Sequence, residues 1–165
     1  MWCAACATGE EPHTVALLLA ARGMLGDVDV VASDISTQAL ARARTGRFRG
    51  RALRQSLPEY AAPWLDVDER GVTASPRLTQ AIDWRQVNLV DGAAVAALGV
   101  FDIVLCRNVL IYFSDETARR VIDALGAALV PGGALFVGVS ESLLRLGTAL
   151  ICEEHQGVFL YKKAI

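Results

Sequence analysis

FDIVLCRNVLIYF, residues Phe101 to Phe113, begins as a buried strand and ends as a site. From Phe101 to Cys106 apolar residues hardly alternate with polar ones, the pattern of a strand covered on both faces. Arg107 and Asn108 then break the run. Ser114 and Asp115 open a helix after Tyr112 and Phe113. Strand, polar turn and helix cap together describe the carboxyl edge of an α/β sheet, where such sheets bind ligands.

After this edge, residues Asp115 to Val130 read as an amphipathic helix, with Val121, Ile122, Leu125 and Leu129 on one face. Pro131, Gly132 and Gly133 are expected to stop it. Ala134 to Val139 is the next strand, and Glu141 to Leu146 a short helix. Ala149 to Glu153 and Gly157 to Lys162 are joined too closely for a helical crossover, so they should be antiparallel. On the other side, Trp84 to Leu89 is a strand with Asn88 near its carboxyl end, and Asp91 to Leu98 a short helix.

The chain opens with a short strand, Trp2 to Ala7. Thr8 is placed to cap the following helix, with Glu11 three residues on and Pro12 in the first turn. Such a turn aims backbone N–H groups at a polar ligand. Val28 to Ala32 is the second strand, and Ser36 caps a helix from Thr37 to Arg44. Asp34, closing that strand, has two acceptor oxygens spaced to hold the two hydroxyls of a ribose. The alternative is a helix-capping carboxylate, a role Ser36 already fills.

Residues Thr45 to Asp83 break the α/β rhythm and read as an inserted subdomain. Leu53 to Leu65 suggests a short helix, and Asp66 to Arg77 a hairpin around Glu69, Arg70 and Gly71. Arg47, Arg49 and Arg51 recur at period two. In an extended segment they share one face, either a basic edge for an acidic partner or a solvated loop.

The 165 residues make one domain, and 53% hydrophobic against 21% charged residues excludes disorder. A net charge of −2 argues against nucleic acid as partner. No apolar run reaches membrane-spanning length and no signal peptide is visible, so the expectation is a cytoplasmic protein without membrane insertion. Cys3 and Cys6 form a CxxC with no second pair, short of a zinc ribbon. With Cys106 they read as small buried hydrophobes, and no metal is expected. His13 and His155 are isolated and read as surface or packing histidines.

A dinucleotide fold requires G-x-G-x-x-G after the first strand. Here the turn is Ala5-Cys6-Ala7-Thr8-Gly9-Glu10, without the second glycine. Its acidity would repel phosphate but suits a nucleoside with a cationic end. S-adenosylmethionine has both an ammonium and a sulfonium. The acidic turn, Asp34 and the closing antiparallel strands agree on a class I methyltransferase. That is a Rossmann-like α/β fold with a mostly parallel seven-stranded sheet, its last strand antiparallel, and a small inserted subdomain.

The segments Trp2 to Pro12, Ala32 to Ile35, Val87 to Leu89, Cys106 to Phe113, and Pro131-Gly132-Gly133 to Ser140-Glu141-Ser142 resemble, in order, the catalytic domain of CheR-type chemotaxis receptor methyltransferases. TGEEP and CRNVLIYF carry the resemblance. It implies methyl transfer from S-adenosylmethionine to glutamate side chains in the cytoplasmic domain of chemoreceptors, giving methyl esters. By position it implies that Glu11, Asp34, Asn88, Leu89, Asn108 and Val109 contact the cofactor and that Tyr112 faces the transferred methyl. Read from the residues alone, Tyr112 serves equally as a packed tyrosine. In some family members the small β-subdomain docks a receptor tail peptide. The family's N-terminal helical domain, with an orienting arginine, has no counterpart in residues 1–165. The chain then reads either as a fragment of such a protein or as a minimal form, for which a separate helical domain is a further expected partner. The alternative function is a truncated, non-catalytic module that binds cofactor or receptor.

Overall fold

A computed structural model describes residues 1–49 and 57–165. Gly50, Arg51 and the first part of the helix expected from Leu53 lie outside the described residues. The chain divides into two compact units, Met1–Ala5 with Val87–Ile165, and Cys6–Gln86. The first unit opens with β1 (Trp2–Ala4). The second carries α1 (Glu10–Ala21), β2 (Val30–Asp34), α2 (Thr37–Ala43), β3 (Arg47–Phe48), β4 (Leu65–Asp68), β5 (Gly71–Ala74), α3 (Pro76–Gln80) and β6 (Ile82–Gln86). The first resumes with α4 (Gly92–Ala96), β7 (Phe101–Cys106), α5 (Asp115–Ala127), β8 (Leu129–Val137), β9 (Ile151–His155) and β10 (Val158–Lys162).

In the first unit the strand order is β1-β7-β8-β10-β9. β7 lies between β1 and β8 and runs parallel to both. β10 runs antiparallel to both β8 and β9. The β9–β10 connection is a two-residue turn, Gln156 at φ 52° and Gly157 at φ 81°. Both lie in the left-handed region that matches the twist of a hairpin. The apolar stripe of α5 buries Ala118, Val121, Ile122 and Leu125. Val104, Cys106, Leu129 and Leu135 are buried in the strands. Each fully buried aliphatic side chain contributes about 1.5–3 kcal/mol.

Pro131-Gly132-Gly133 does not stop the helix as expected. α5 has already ended, because the Ala128 carbonyl accepts the Phe101 N–H (2.8 Å) and strand pairing starts at Leu129. The three residues form a bulge within β8. Phe101 pairs with Leu129 but Ile103 with Ala134, so β8 spends five residues where β7 spends two. Gly132 (φ 77°) gives its N–H to the Lys163 carbonyl at 3.0 Å. A Cβ on Gly133 would stand 2.9 Å from the Val130 carbonyl oxygen, so the bulge closes only on glycine.

In the second unit β2 pairs parallel with β6, Val30 opposite Ile82 through Asp34 opposite Gln86. With the five strands of the first unit these account for the expected seven. β3, β5 and β4 form a separate antiparallel sheet in that order. Several expected boundaries shift. β1 ends at Ala4, β2 runs to Asp34 itself, and β6 ends at Gln86, leaving Asn88 in a turn. The described part of the helix expected over Leu53–Leu65 is only a 3-10 turn at Glu59–Ala61, and that over Glu141–Leu146 one at Leu144–Leu146. Residues from Pro76 leave the hairpin for α3, because Pro76 suits a first helical turn. Arg47 and Arg49 are exposed.

Candidate functional site

The acidic turn lies in the second unit. Cys6 donates its N–H to the Ser33 carbonyl (2.8 Å), and Gly9 its N–H to the Cys6 carbonyl (2.9 Å). Asp34 is half-buried. Its Oδ2 accepts the Ala7 N–H at 2.8 Å and its Oδ1 the Ser36 N–H at 2.9 Å. The carboxylate thus braces the turn and the approach to α2, while Ser36 caps that helix by accepting the Ala39 N–H at 3.1 Å. Each carboxylate oxygen retains a second lone pair for a ligand hydroxyl. Ala7 (φ 47°) is a non-glycine residue in the left-handed region. Strain of this kind concentrates at functional sites.

Thr8 is not the helix cap. Its hydroxyl donates to the Glu10 carboxylate (2.8 and 2.9 Å), and Gly9 occupies the N-cap at φ 92° without a side-chain cap. A side chain there would collide with Ala43, 2.7 Å from a Cβ placed on Gly9. The Cys6 thiol reports the local field. Burial, then the negative charge of Asp34, and more weakly that of Glu11 and Glu10, push its pKa up to about 12. The carboxylate part of that shift, from Asp34, Glu11 and Glu10, is the part that favours a cationic ligand.

His13 is 4% exposed. Its Nδ1 lies 2.8 Å from the Gly9 carbonyl oxygen, which can only accept, so Nδ1 carries the proton. Nε2 then accepts from the Thr79 hydroxyl at 3.1 Å. Burial pushes its pKa below 6.5, and its ring packs against Phe48 and Trp84. It is a packing histidine that fixes the carbonyl of Gly9.

In the first unit Asn88 is exposed and its Oδ1 accepts the Val90 N–H (3.1 Å), while Leu89 is buried. Asp91 caps α4 by accepting from Ala93 and Ala94. Asn108, at φ 59°, leads into a 3-10 turn at Leu110–Tyr112. Val109 is half-buried and Leu110 buried. Tyr112 is 79% exposed, so it is not the packed tyrosine of the alternative reading.

Sequence reasoning passed over Glu141. Its buried carboxylate accepts backbone N–H groups from Asn108 (2.7 Å), Gly138 (2.7 Å), Leu110 (2.8 Å) and, at longer range, Ile111 (3.4 Å). The available signal was an acidic residue shortly after an apolar strand, inside the Ser140-Glu141-Ser142 motif. Beside it, at the carboxyl ends of β7 and β8, is a cavity of about 610 Å³. Leu105, Phe136, Val139, Leu144 and Phe159 give it a mostly apolar lining, with Arg107 among its polar members. Among the described residues no cluster of His, Cys, Asp and Glu could hold a metal ion, and no helix is long and apolar enough to cross a membrane.

Residues 1–158 match the family model described as CheR methyltransferase, SAM binding domain. The chain belongs to the CheR family. Its cofactor is S-adenosylmethionine. CheR relatives include chemotaxis protein methyltransferase 1 of Pseudomonas aeruginosa, 37% identical over 154 residues, covering 88% of this chain and 56% of that protein. Another is the probable biofilm formation methyltransferase WspC of Pseudomonas putida, 36% identical, covering 86% of this chain and 34% of that one. The chain spans about half the length of the chemotaxis methyltransferases it matches. The fold is that of the class I methyltransferases. The N-methyltransferase NodS of Bradyrhizobium japonicum, solved with S-adenosyl-L-homocysteine, superposes with a TM-score of 0.59 at 16% identity, over 98% of this chain and 76% of that one. The glycopeptide N-methyltransferase MtfA gives 0.55 at 15% identity, over 93% of this chain and 56% of that one.

Proposed function

We propose that this CheR domain transfers a methyl group from S-adenosylmethionine to glutamate side chains in the cytoplasmic domain of a chemoreceptor. In this reading the reaction takes place in the cytoplasm. Asp34 accepts from the ribose hydroxyls through its remaining lone pairs, and Glu11 faces the cationic end. Asn88, Leu89, Asn108 and Val109 complete the contacts, and Tyr112 faces the methyl. The residues present fit the cofactor. The carboxylates of Asp34, Glu11 and Glu10, which add to burial in raising the Cys6 pKa, give the turn the negative bias a sulfonium and an ammonium need. When bound, S-adenosylmethionine supplies a methyl carbon activated by positive sulfur.

A glutamate side chain has a reference pKa of about 4.3 and is already an anion at neutral pH, so the nucleophile needs no general base. In the proposed reaction the glutamate oxygen is the nucleophile and the bound cofactor would supply the methyl, which would give a methyl ester and S-adenosylhomocysteine. The protein's task is to align the anion with the methyl and remove its water. Tyr112, exposed and carried on a short turn, has a hydroxyl to donate to that anion. The observation that carries the reading is the family match over residues 1–158.

The test is incubation with methyl-labelled cofactor and a purified chemoreceptor signalling domain, alone and with a separately supplied helical domain from a relative. The expected product releases volatile methanol on treatment with base. Cofactor binding by calorimetry with no base-labile label under either condition would leave a non-catalytic binding module instead.

A further inference from the structure

The loop from Asn108 to Tyr112 leaves the sheet with no strand to pair with. β7 ends at Cys106 and β8 at Val137, yet the amides of Asn108, Leu110 and Gly138 all converge on one carboxylate. Oε2 of Glu141 takes two of them, Asn108 and Gly138, each at 2.7 Å. Oε1 takes Leu110 at 2.8 Å. Hydrogen bonds to an ionised acceptor are the strong kind. They hold Asn108 at φ 59°, a conformation non-glycine residues seldom adopt. The arrangement leaves no room for a side chain at residue 138. A Cβ on Gly138 would lie 2.6 Å from Oε2 of Glu141 and 3.0 Å from Nδ2 of Asn108.

We propose that Glu141 is a positioning residue for methyl transfer. It touches neither cofactor nor acceptor. It sets where Asn108 and Tyr112 stand by substituting a carboxylate for the missing strand. The role rests on the assignment of Asn108 and Tyr112 made above. A glutamine cannot replace it, because whichever way its amide turns, its NH2 faces at least one of the N–H groups that the carboxylate now accepts.

Backbone amide exchange and calorimetric titration with S-adenosylhomocysteine test this on the full chain. In the wild type the Asn108 and Leu110 amides are expected to exchange at least about a hundredfold more slowly than free peptide amides. Glu141→Gln is expected to speed them at least about tenfold while leaving Val104 in β7 within about twofold. The same substitution is expected to weaken S-adenosylhomocysteine binding at least about tenfold. In the methyl-transfer assay it is expected to lower kcat and leave the KM for the acceptor within about threefold. Gly138→Ala should act in the same direction. Val121→Ala, which destabilises α5 without touching the loop, should leave the affinity within about twofold.

Rapid exchange at Asn108 and Leu110 in the wild type would overturn the proposal even if the variants failed to fold. So would an unchanged affinity in Glu141→Gln once exchange has accelerated, which would leave Glu141 a purely structural residue. If the wild type itself bound no S-adenosylhomocysteine, the functional reading would fail on that control, and the exchange data would still decide whether Glu141 sets the loop.

Discussion

Gly9 offers a perturbation whose size can be worked out atom by atom. It sits at φ +92°, and a Cβ there would lie 2.7 Å from Cβ of Ala43 and 3.2 Å from Cη2 of Trp84. Gly9→Ala therefore carries two costs. Holding an alanine in the left-handed region costs about 1–2 kcal/mol, and overpacking a closed site costs about 1–3 kcal/mol. Two other glycines separate the terms. Gly23 is also left-handed (φ +72°) but has nothing within 4 Å of its Cβ position, so Gly23→Ala carries only the first cost. Gly26 has neither the positive φ nor a neighbour within 4 Å, and Gly26→Ala should be neutral or stabilising by about 0.4–1 kcal/mol. Urea unfolding followed by tryptophan fluorescence should rank the three in that order. Gly9→Ala should lose roughly 2–5 kcal/mol, and its Tm should fall by roughly 10 °C for a chain of this length. If it proves no worse than Gly23→Ala, the close approach of the TGEEP turn to α2 is wrong.

His13 adds a pH dependence. Burial holds its folded pKa below 6.5, so as pH falls the unfolded chain takes up its proton first and stability declines below about 6.5. The decline levels off only when the folded form also protonates. Urea unfolding between about pH 8 and about pH 5.5 should show this slope reduced in His13→Gln, and equal slopes would remove His13 as its source. Asp34→Ala removes the acceptor of the Ala7 and Ser36 amides and, by proposal, of the ribose. Calorimetry should find S-adenosylhomocysteine bound about 10–100-fold more weakly. An affinity within about threefold of the wild type would contradict the ribose assignment. Among the cysteines, Cys152 is half-buried, whereas Cys3, Cys6 and Cys106 are buried and the Cys6 thiol is pushed up to about 12. A thiol reagent at about pH 8 should modify Cys152 first, with the others following only on unfolding. Fast modification of Cys6 in the folded chain would show that its burial is misjudged.

The alternation of strands and helices was legible in the sequence because apolar spacing reports how many faces of an element are covered. The unbroken run Phe101–Cys106 and the stripe through Val121, Ile122 and Leu125 gave β7 and α5 their places, and the brevity of the final connection gave the antiparallel pair. Local chemistry read alone misjudged Thr8, whose hydroxyl found Glu10, and Pro131-Gly132-Gly133, which bulges a strand instead of ending a helix.

The order of elements, the acidic turn, and the polar break at Arg107 and Asn108 are written in the primary structure, because all are properties of near neighbours. It took the folded chain to bring Glu141 to the amide of Asn108, 33 residues earlier, and Asp34 to that of Ala7, 27 residues earlier. A carboxylate binds whichever N–H groups the chain's path brings within hydrogen-bonding distance, and that path is fixed by packing across the whole unit.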